Sequence, residues 1–413
     1  MVPIKIPQST EEYLSLSINN ELHSVPSYEI QLVSNLVYYY SQSARNVRSK
    51  KSWLLRLPAM AQSAELPRMR ALLLAPSLIL LATQSQQQSV FKEALKWYDR
   101  GLSYLRKRLK SAGSIPDNEM DLLVPAALLM SFYEAINPTL DSGYEQHLLG
   151  AITLLEAKGP ETFASPKFHD LFLAVRGHAV TVSLMTGKST FLAEERWLTV
   201  PFMHTDKSPL DRINDCLLVM MNYISQLEVG PVDWTNHIEP PLDGQSTMVL
   251  SGLMSDLDEI WSQISHWEIP RVFEDDSERG HDSSEFVYTY SNAHQANSVA
   301  IYSLARLILL LLLDRQISSH FTLSADKEGM MMQASASILS AARYLSTFDI
   351  GCAYLRIITP LQIVAQHSPS SAQRDCAVHI LQKWWAERPL KGLTWKALQR
   401  IASNNKKSIF LSR

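Results

Sequence analysis

The sequence predicts an all-α protein, a single large helical domain of many packed antiparallel helices, on three observations. Apolar residues recur at spacings of three and four along most of the chain, as one face of a helix requires. Alternating runs closed by two-residue Asn-Gly or Asp-Gly turns, the mark of hairpins, do not recur. With 413 residues and 46% hydrophobic content, the chain has enough apolar material for a large core.

Taken in order, residues 1–26 begin MVPIKIPQSTEEYLSLS, with neither a basic start nor an apolar stretch, so no secretory signal is expected. They read as an N-terminal extension to a helical domain at 27–400. Helices are expected near 28–43, 69–84, 89–110, 122–136, 143–158 and 167–186. The run MRALLLAPSLILLA contains Pro76, and VAIYSLARLILLLLLDR carries Arg306 near its middle. A membrane span needs roughly 20 consecutive apolar residues, so both runs read as buried helices and no membrane partner is expected.

In DRINDCLLVMMNYISQLE, Ile213, Leu217, Met220 and Ile224 form one face, with Asp211 placed as the N-cap. Further helices are expected near 296–317, 331–347 and 353–367. In SAQRDCAVHILQKWWAERP, Cys376, Ile380 and Trp384 make one row, Leu381 and Trp385 the next, and Pro389 follows the end. Two stretches rich in turn formers and acidic residues, 228–246 and 269–286, read as loops within the one domain. Residues 401–413 read as a polar tail.

Net charge is −3 and the pI about 6.5, which excludes whole-molecule attraction to nucleic acid or an anionic membrane. Two basic clusters are local. RNVRSKK (Arg45, Arg48, Lys50, Lys51) is a candidate nuclear import signal. RKRLK (Arg106, Lys107, Arg108, Lys110) closes a helix, where cations meet the negative end of the helix dipole. The helix holding it, ALKWYDRGLSYLRKRL, resembles one tetratricopeptide helix, but no repeat follows. Cys216, Cys352 and Cys376 each lie beside apolar residues and read as reduced, packed thiols.

Motifs for the common chemistries are incomplete. VSLMTGKST ends like a phosphate-binding loop, but Val182 stands where the first glycine belongs. EDDSERGHD (Asp275, Asp276, Glu278) has carboxylates without helical periodicity and reads as a solvated loop. His-Glu-x-x-His, Gly-x-Ser-x-Gly and Gly-x-Gly-x-x-Gly do not occur. No metal or cofactor is expected, and no catalytic residue can be named.

The polar candidates lie in DLLVPAALLMSFYEAINPTLDSGYEQHLLGAITLLEAKGP, residues 121–160, which places Glu134, Glu145 and His147 in an apolar setting. Glu134 falls at the C-terminal end of a helix apolar nearly all round. A carboxylate there opposes the helix dipole unless a cation or donor faces it. His147 and Arg176 are the candidates, so Glu134, His147 and Arg176 are expected to tie three helices together, with a ligand pocket as the alternative. Gly150 and Ala151 suit a close backbone approach, and Gly159-Pro160 should end the helix.

The succession LLVPAALLMSFYE, YEQHLLGAITLLEAKGP, FHDLFLAVRGHAV and FLAEERWLTVPF resembles the fungal-specific transcription factor domain, the helical regulatory region of zinc binuclear-cluster transcription factors. SYEIQLVSNLVYYYS is similar to its opening helix, LDRINDCLLVMM to its middle and TPLQIVAQHSPSSAQRDCAVHILQKWW to its close. The anchors are Glu134, His147, Gly150, Gly159, Arg176, Trp197, Pro201, Pro360 and Arg374. Members that bind DNA carry six cysteines holding two zinc ions ahead of this region. With three cysteines here, none in the first 200 residues, direct DNA binding by that means is not expected.

The resemblance implies a nuclear transcription regulator without its own zinc cluster, acting through a protein partner on fungal, secondary-metabolism genes. A small-molecule ligand is a further expectation. The alternatives are a cytoplasmic enzyme of specialised metabolism, a cyclase or pericyclase with Tyr133, Tyr144 and Trp197 lining its cavity, and a helical scaffold unrelated to transcription.

Overall fold

A computed structural model describes residues 27–41, 52–62, 66–111, 117–226, 244–270, 288–314 and 325–411. The extension 1–26, the RNVRSKK cluster, the acidic EDDSERGHD stretch and most of the 228–246 loop lie outside the described residues. The rest is all-α. Among the described residues the strands are one antiparallel pair of two residues each, β1 (Ile269–Pro270) and β2 (Tyr288–Thr289).

The described chain forms two compact units. The first runs to Lys158 and takes in two short later segments, Ile350–Cys352 and Pro389–Gly392. Its helices are α1 (Ser27–Tyr40), α2 (Leu57–Gln62), α3 (Leu66–Ser85), α4 (Gln88–Ser111), α5 (Asp117–Ile136) and α6 (Gly143–Lys158). Both α3 and α5 are apolar around their whole circumference and sit at the centre of the unit, with Leu72, Leu73, Leu78, Ile79, Val124, Leu128 and Leu129 fully buried. Each tolerates an internal proline, Pro76 and Pro125. In α3 the Ser77 hydroxyl donates to the Leu73 carbonyl at 2.7 Å, next to the bond that Pro76 cannot make. By contrast α4 is strongly amphipathic: Ala94, Tyr98 and Gly101 turn inward at i, i+4 and i+7, and the charged residues stay outside.

The division between units falls at Gly159, whose φ of 77° is one that an L side chain rarely adopts. It ends α6 as the Gly-Pro pair suggested.

The second unit holds α7 (His169–Thr186), α8 (Glu195–Thr199), α9 (Pro209–Gln226), α10 (Gly244–Ile264), α11 (Ala293–Asp314), α12 (Ala325–Ser346) and α14 (Ser371–Glu387). It also holds most of α13 (Gly351–His367) and α15 (Lys391–Leu411). The apolar α11 is the one described helix long enough to cross a membrane, and 78% of its apolar window is buried inside the protein. Its Arg306 donates to the Tyr302 hydroxyl at 2.9 Å and stands 3.5 Å from Asp258, which keeps the cation solvated at the helix flank.

Several local expectations change. The helix bearing Asp211 starts earlier, at Pro209, because Ser208 is its cap: the Ser208 amide donates to Asp211 Oδ2 at 2.9 Å and the Asp211 amide to Ser208 Oγ at 3.3 Å. This reciprocal box places Asp211 three residues inside the cap. Gly187, suspected in the phosphate-loop remnant, is the left-handed C-cap of α7, its amide donating to the Ser183 carbonyl. Residues 401–411, read as polar tail, continue α15, and α10 occupies a stretch with no helix expected.

Candidate functional site

Glu134 ends α5 with 2% exposure and is surrounded by donors. The Tyr98 hydroxyl donates to its Oε1 at 2.6 Å, and the Thr139 hydroxyl donates to the same oxygen. The Thr139 amide donates to Oε2 at 2.9 Å. Gly143, the first residue of α6, lies so close that a Cβ there would fall 2.3 Å from Oε2. The carboxylate is therefore pressed against the N-terminus of the next helix, the end that favours negative charge. On the other side, a Cβ at Gly392 would meet the Glu134 carbonyl at 2.9 Å and Pro138 Cδ at 2.5 Å.

His147 joins this node through Tyr98, 2.8 Å from its hydroxyl. The phenol has one proton and gives it to Glu134, so the imidazole must donate from Nε2–H. Proton direction is thus set along the chain His147, Tyr98, Glu134. Burial lowers the His147 pKa, against a smaller opposing pull from Glu134, and favours the neutral ring in that tautomer. Burial and the bond to Glu134 push the Tyr98 phenol far above its ordinary range, so it stays a donor. Tyr133 stacks on Tyr98 with ring centres 4.2 Å apart, and burial raises its own phenol to about 12.

Arg176 does not belong to this node. It lies on α7 in the second unit, 1% exposed, and pairs there with Asp215 on α9. Both its terminal nitrogens donate to the Asp211 carbonyl at 3.1 Å. Lys207 reaches the other Asp215 oxygen at 2.7 Å. The guanidinium and the Lys207 ammonium lie 5.4 and 5.0 Å from the centre of the Phe202 ring. Burial outweighs the opposing pull of Asp211 and lowers the Arg176 pKa to about 10. The expected three-way tie is corrected to two separate arrangements, one around Glu134 and one around Asp215. The dipole argument required a donor for Glu134, and neutral hydroxyls and an amide supply it in place of a cation.

Gly150 is also corrected: no atom from beyond its own stretch of helix lies within 4 Å of where its Cβ would be, and the close approach occurs at Gly143. Sequence reasoning missed Tyr98, Thr139, Lys207 and Asp215. Tyr98 was within reach, since Ala94, Tyr98 and Gly101 share a face. Asp215 lies one turn beyond Asp211, a spacing that marks a shared helix face but names no partner.

Of the three aromatics proposed to line a cavity, Tyr133 and Tyr144 are buried in the first unit. Trp197 packs in the second against Phe163, Phe172 and Phe191. Among the described residues no three His, Cys, Asp or Glu side chains gather in a way that could hold a metal.

The model of the fungal specific transcription factor domain matches residues 27–401. The chain belongs to that family. The match covers nearly everything described, both polar arrangements included. It supports a regulator-type role. Among curated proteins, the uncharacterized protein AN5342 of Emericella nidulans is 24% identical over 169 residues, 41% of this chain. The chain spans about a third of that relative's length, 32%. No solved structure matches.

Proposed function

We propose that this fungal specific transcription factor domain protein regulates transcription in the nucleus through a protein partner, controlling metabolic genes. The family match across residues 27–401 carries the reading.

In this reading the His147, Tyr98 and Glu134 chain is a fastening of the α4, α5 and α6 corner, not a ligand contact. Three protein donors reach the Glu134 oxygens, two at Oε1 and one at Oε2, and the residue is 2% exposed, which supports a fastening inside the protein. A deletion strain profiled for transcripts and metabolites tests the function. The expected outcome is loss or rise of a defined set of transcripts. Unchanged transcripts with one accumulating intermediate would mean that the protein consumes that intermediate as an enzyme.

A further inference from the structure

The outward face of α4 differs in charge from the rest of the chain. Lys92, Lys96, Asp99, Arg100, Ser103, Arg106 and Lys107 are all exposed and, at 100° per residue, share one side of the helix. From residue 92 to 107 there are five cations and two carboxylates, a surplus of three in a chain of net charge −3, so the remainder carries −6. One of those carboxylates, Glu93, is held by Lys96 at 3.2 Å. Arg100 is braced 4.6 Å over the Trp97 ring. The stripe runs about 22 Å at 1.5 Å per residue.

Along one edge of it lies a second row, Leu95, Leu102 and Leu109, spaced by seven residues. Leu95 is 43% and Leu109 50% exposed, and Leu102 is half-buried. These leucines border the side that packs on α3 and α5, and core packing leaves Leu95 and Leu109 largely uncovered. A leucine row beside a cation row is the pattern by which one helix accepts another.

We propose that this face of α4 is the docking surface for an acidic amphipathic helix of a partner protein, about four turns long. The inference rests on the partner-mediated reading above and names the chemistry of the partner. A helix with carboxylates at i, i+4 and i+8 presents them in steps of about 6 Å, the same steps as Lys92, Lys96 and Arg100. Its apolar row covers the leucines. A second copy of this chain is a poor occupant, since it would set cations against cations. The phosphate backbone of a nucleic acid offers nothing to the leucine row.

The test uses the full-length protein and a labelled synthetic peptide of about four helical turns, with leucine at every seventh position and glutamate beside it. The controls are the same peptide with glutamine for glutamate and a short DNA duplex. Binding of the acidic peptide, weakened by added salt, by glutamine replacement and about tenfold by K92E/K96E/R106E, is the expected result. L95A/L109A should weaken it without altering the salt dependence. All five positions are solvent-facing, so helical content and melting should match the parent.

Equal binding of both peptides, indifference to the charge reversal, or preferential binding of the duplex would each overturn the inference. In cells, a charge-reversal strain with normal transcripts beside a deletion strain with altered ones refutes the docking surface alone. A deletion strain with unaltered transcripts refutes the regulator reading, whatever the peptide does.

Discussion

Replacing Glu134 by Gln keeps the shape of the side chain and removes one acceptor. The amide oxygen can serve Tyr98 and the Thr139 hydroxyl, or the Thr139 amide, but its NH2 then faces a donor. One buried donor is left unpaired, and E134Q should cost about 2 kcal/mol, read as a lower denaturation midpoint with an unchanged slope. Gly143 offers the matching test from the other side. In G143A the new Cβ would lie 2.3 Å from Glu134 Oε2 and 2.5 Å from Cδ, so the carboxylate must leave its donors. With E134A present that space is vacant. A double-mutant cycle should therefore return a coupling of roughly 1–2 kcal/mol, and additive costs would refute the contact. At this scale the sequence disclosed that Glu134 needed a partner, because the helix dipole makes an unmatched carboxylate costly. It did not disclose which partner. Tyr98 and Thr139 lie on different elements, and hydroxyls carry no charge by which a pairing can be guessed.

At the scale of elements, helices with charged outer faces were legible and those rich in Ser, Gly and Asn were not. The α10 sequence GQSTMVLSGLMSDLDEIWSQI is assembled largely from weak helix formers, yet Leu250, Leu253, Leu257, Ile260 and Ile264 are buried at alternating steps of three and four. Packing of that row overrides propensity. The same holds for α15, where Leu393, Ala397 and Ile401 face inward beneath a polar exterior. Within α7, His178 provides a measurable link between burial and stability. Its pKa is lowered to about 4 by burial and by the neighbouring Arg356. An unfolded chain takes up that proton near 6.5. Between the two values the unfolded state binds more protons, so the contribution is intact above about pH 6.5 and declines as the pH falls toward 4. One proton sets a ceiling of about 1.4 kcal/mol per pH unit, reduced because His178 is only half-buried, and His147 acts in the same direction. H178Q should flatten the fall in stability between neutral pH and pH 5, and parallel curves for the two proteins would refute the assignment.

For the whole molecule, the arrangement into two units was out of reach of any sequence window. The stretches 228–246 and 269–286, acidic and rich in turn formers, read as loops within one domain, whereas the division at Gly159 is marked by a single left-handed glycine. Long-range contacts explain the difference. A Cβ at Gly351 would meet Tyr39 Cε1 at 2.3 Å, although the residues are far apart in the chain, and Gly392 abuts the turn after α5. Periodicity reports which face of a helix is apolar and carries no information about which distant segment covers it. The first unit is thereby completed by residues that a fragment ending at Lys158 does not contain. Ile350 and Leu390, 4% and 0% exposed, contribute about 1.5–3 kcal/mol each by burial, a large part of the 5–15 kcal/mol typical of a whole domain. Fragment 1–158 should therefore keep helical ellipticity yet bind a hydrophobic dye and lose a sharp thermal transition. A cooperative melt without dye binding would show that α1 to α6 close their own core. Residues 350–352 and 389–392 would then be passengers on the first unit and not part of its framework.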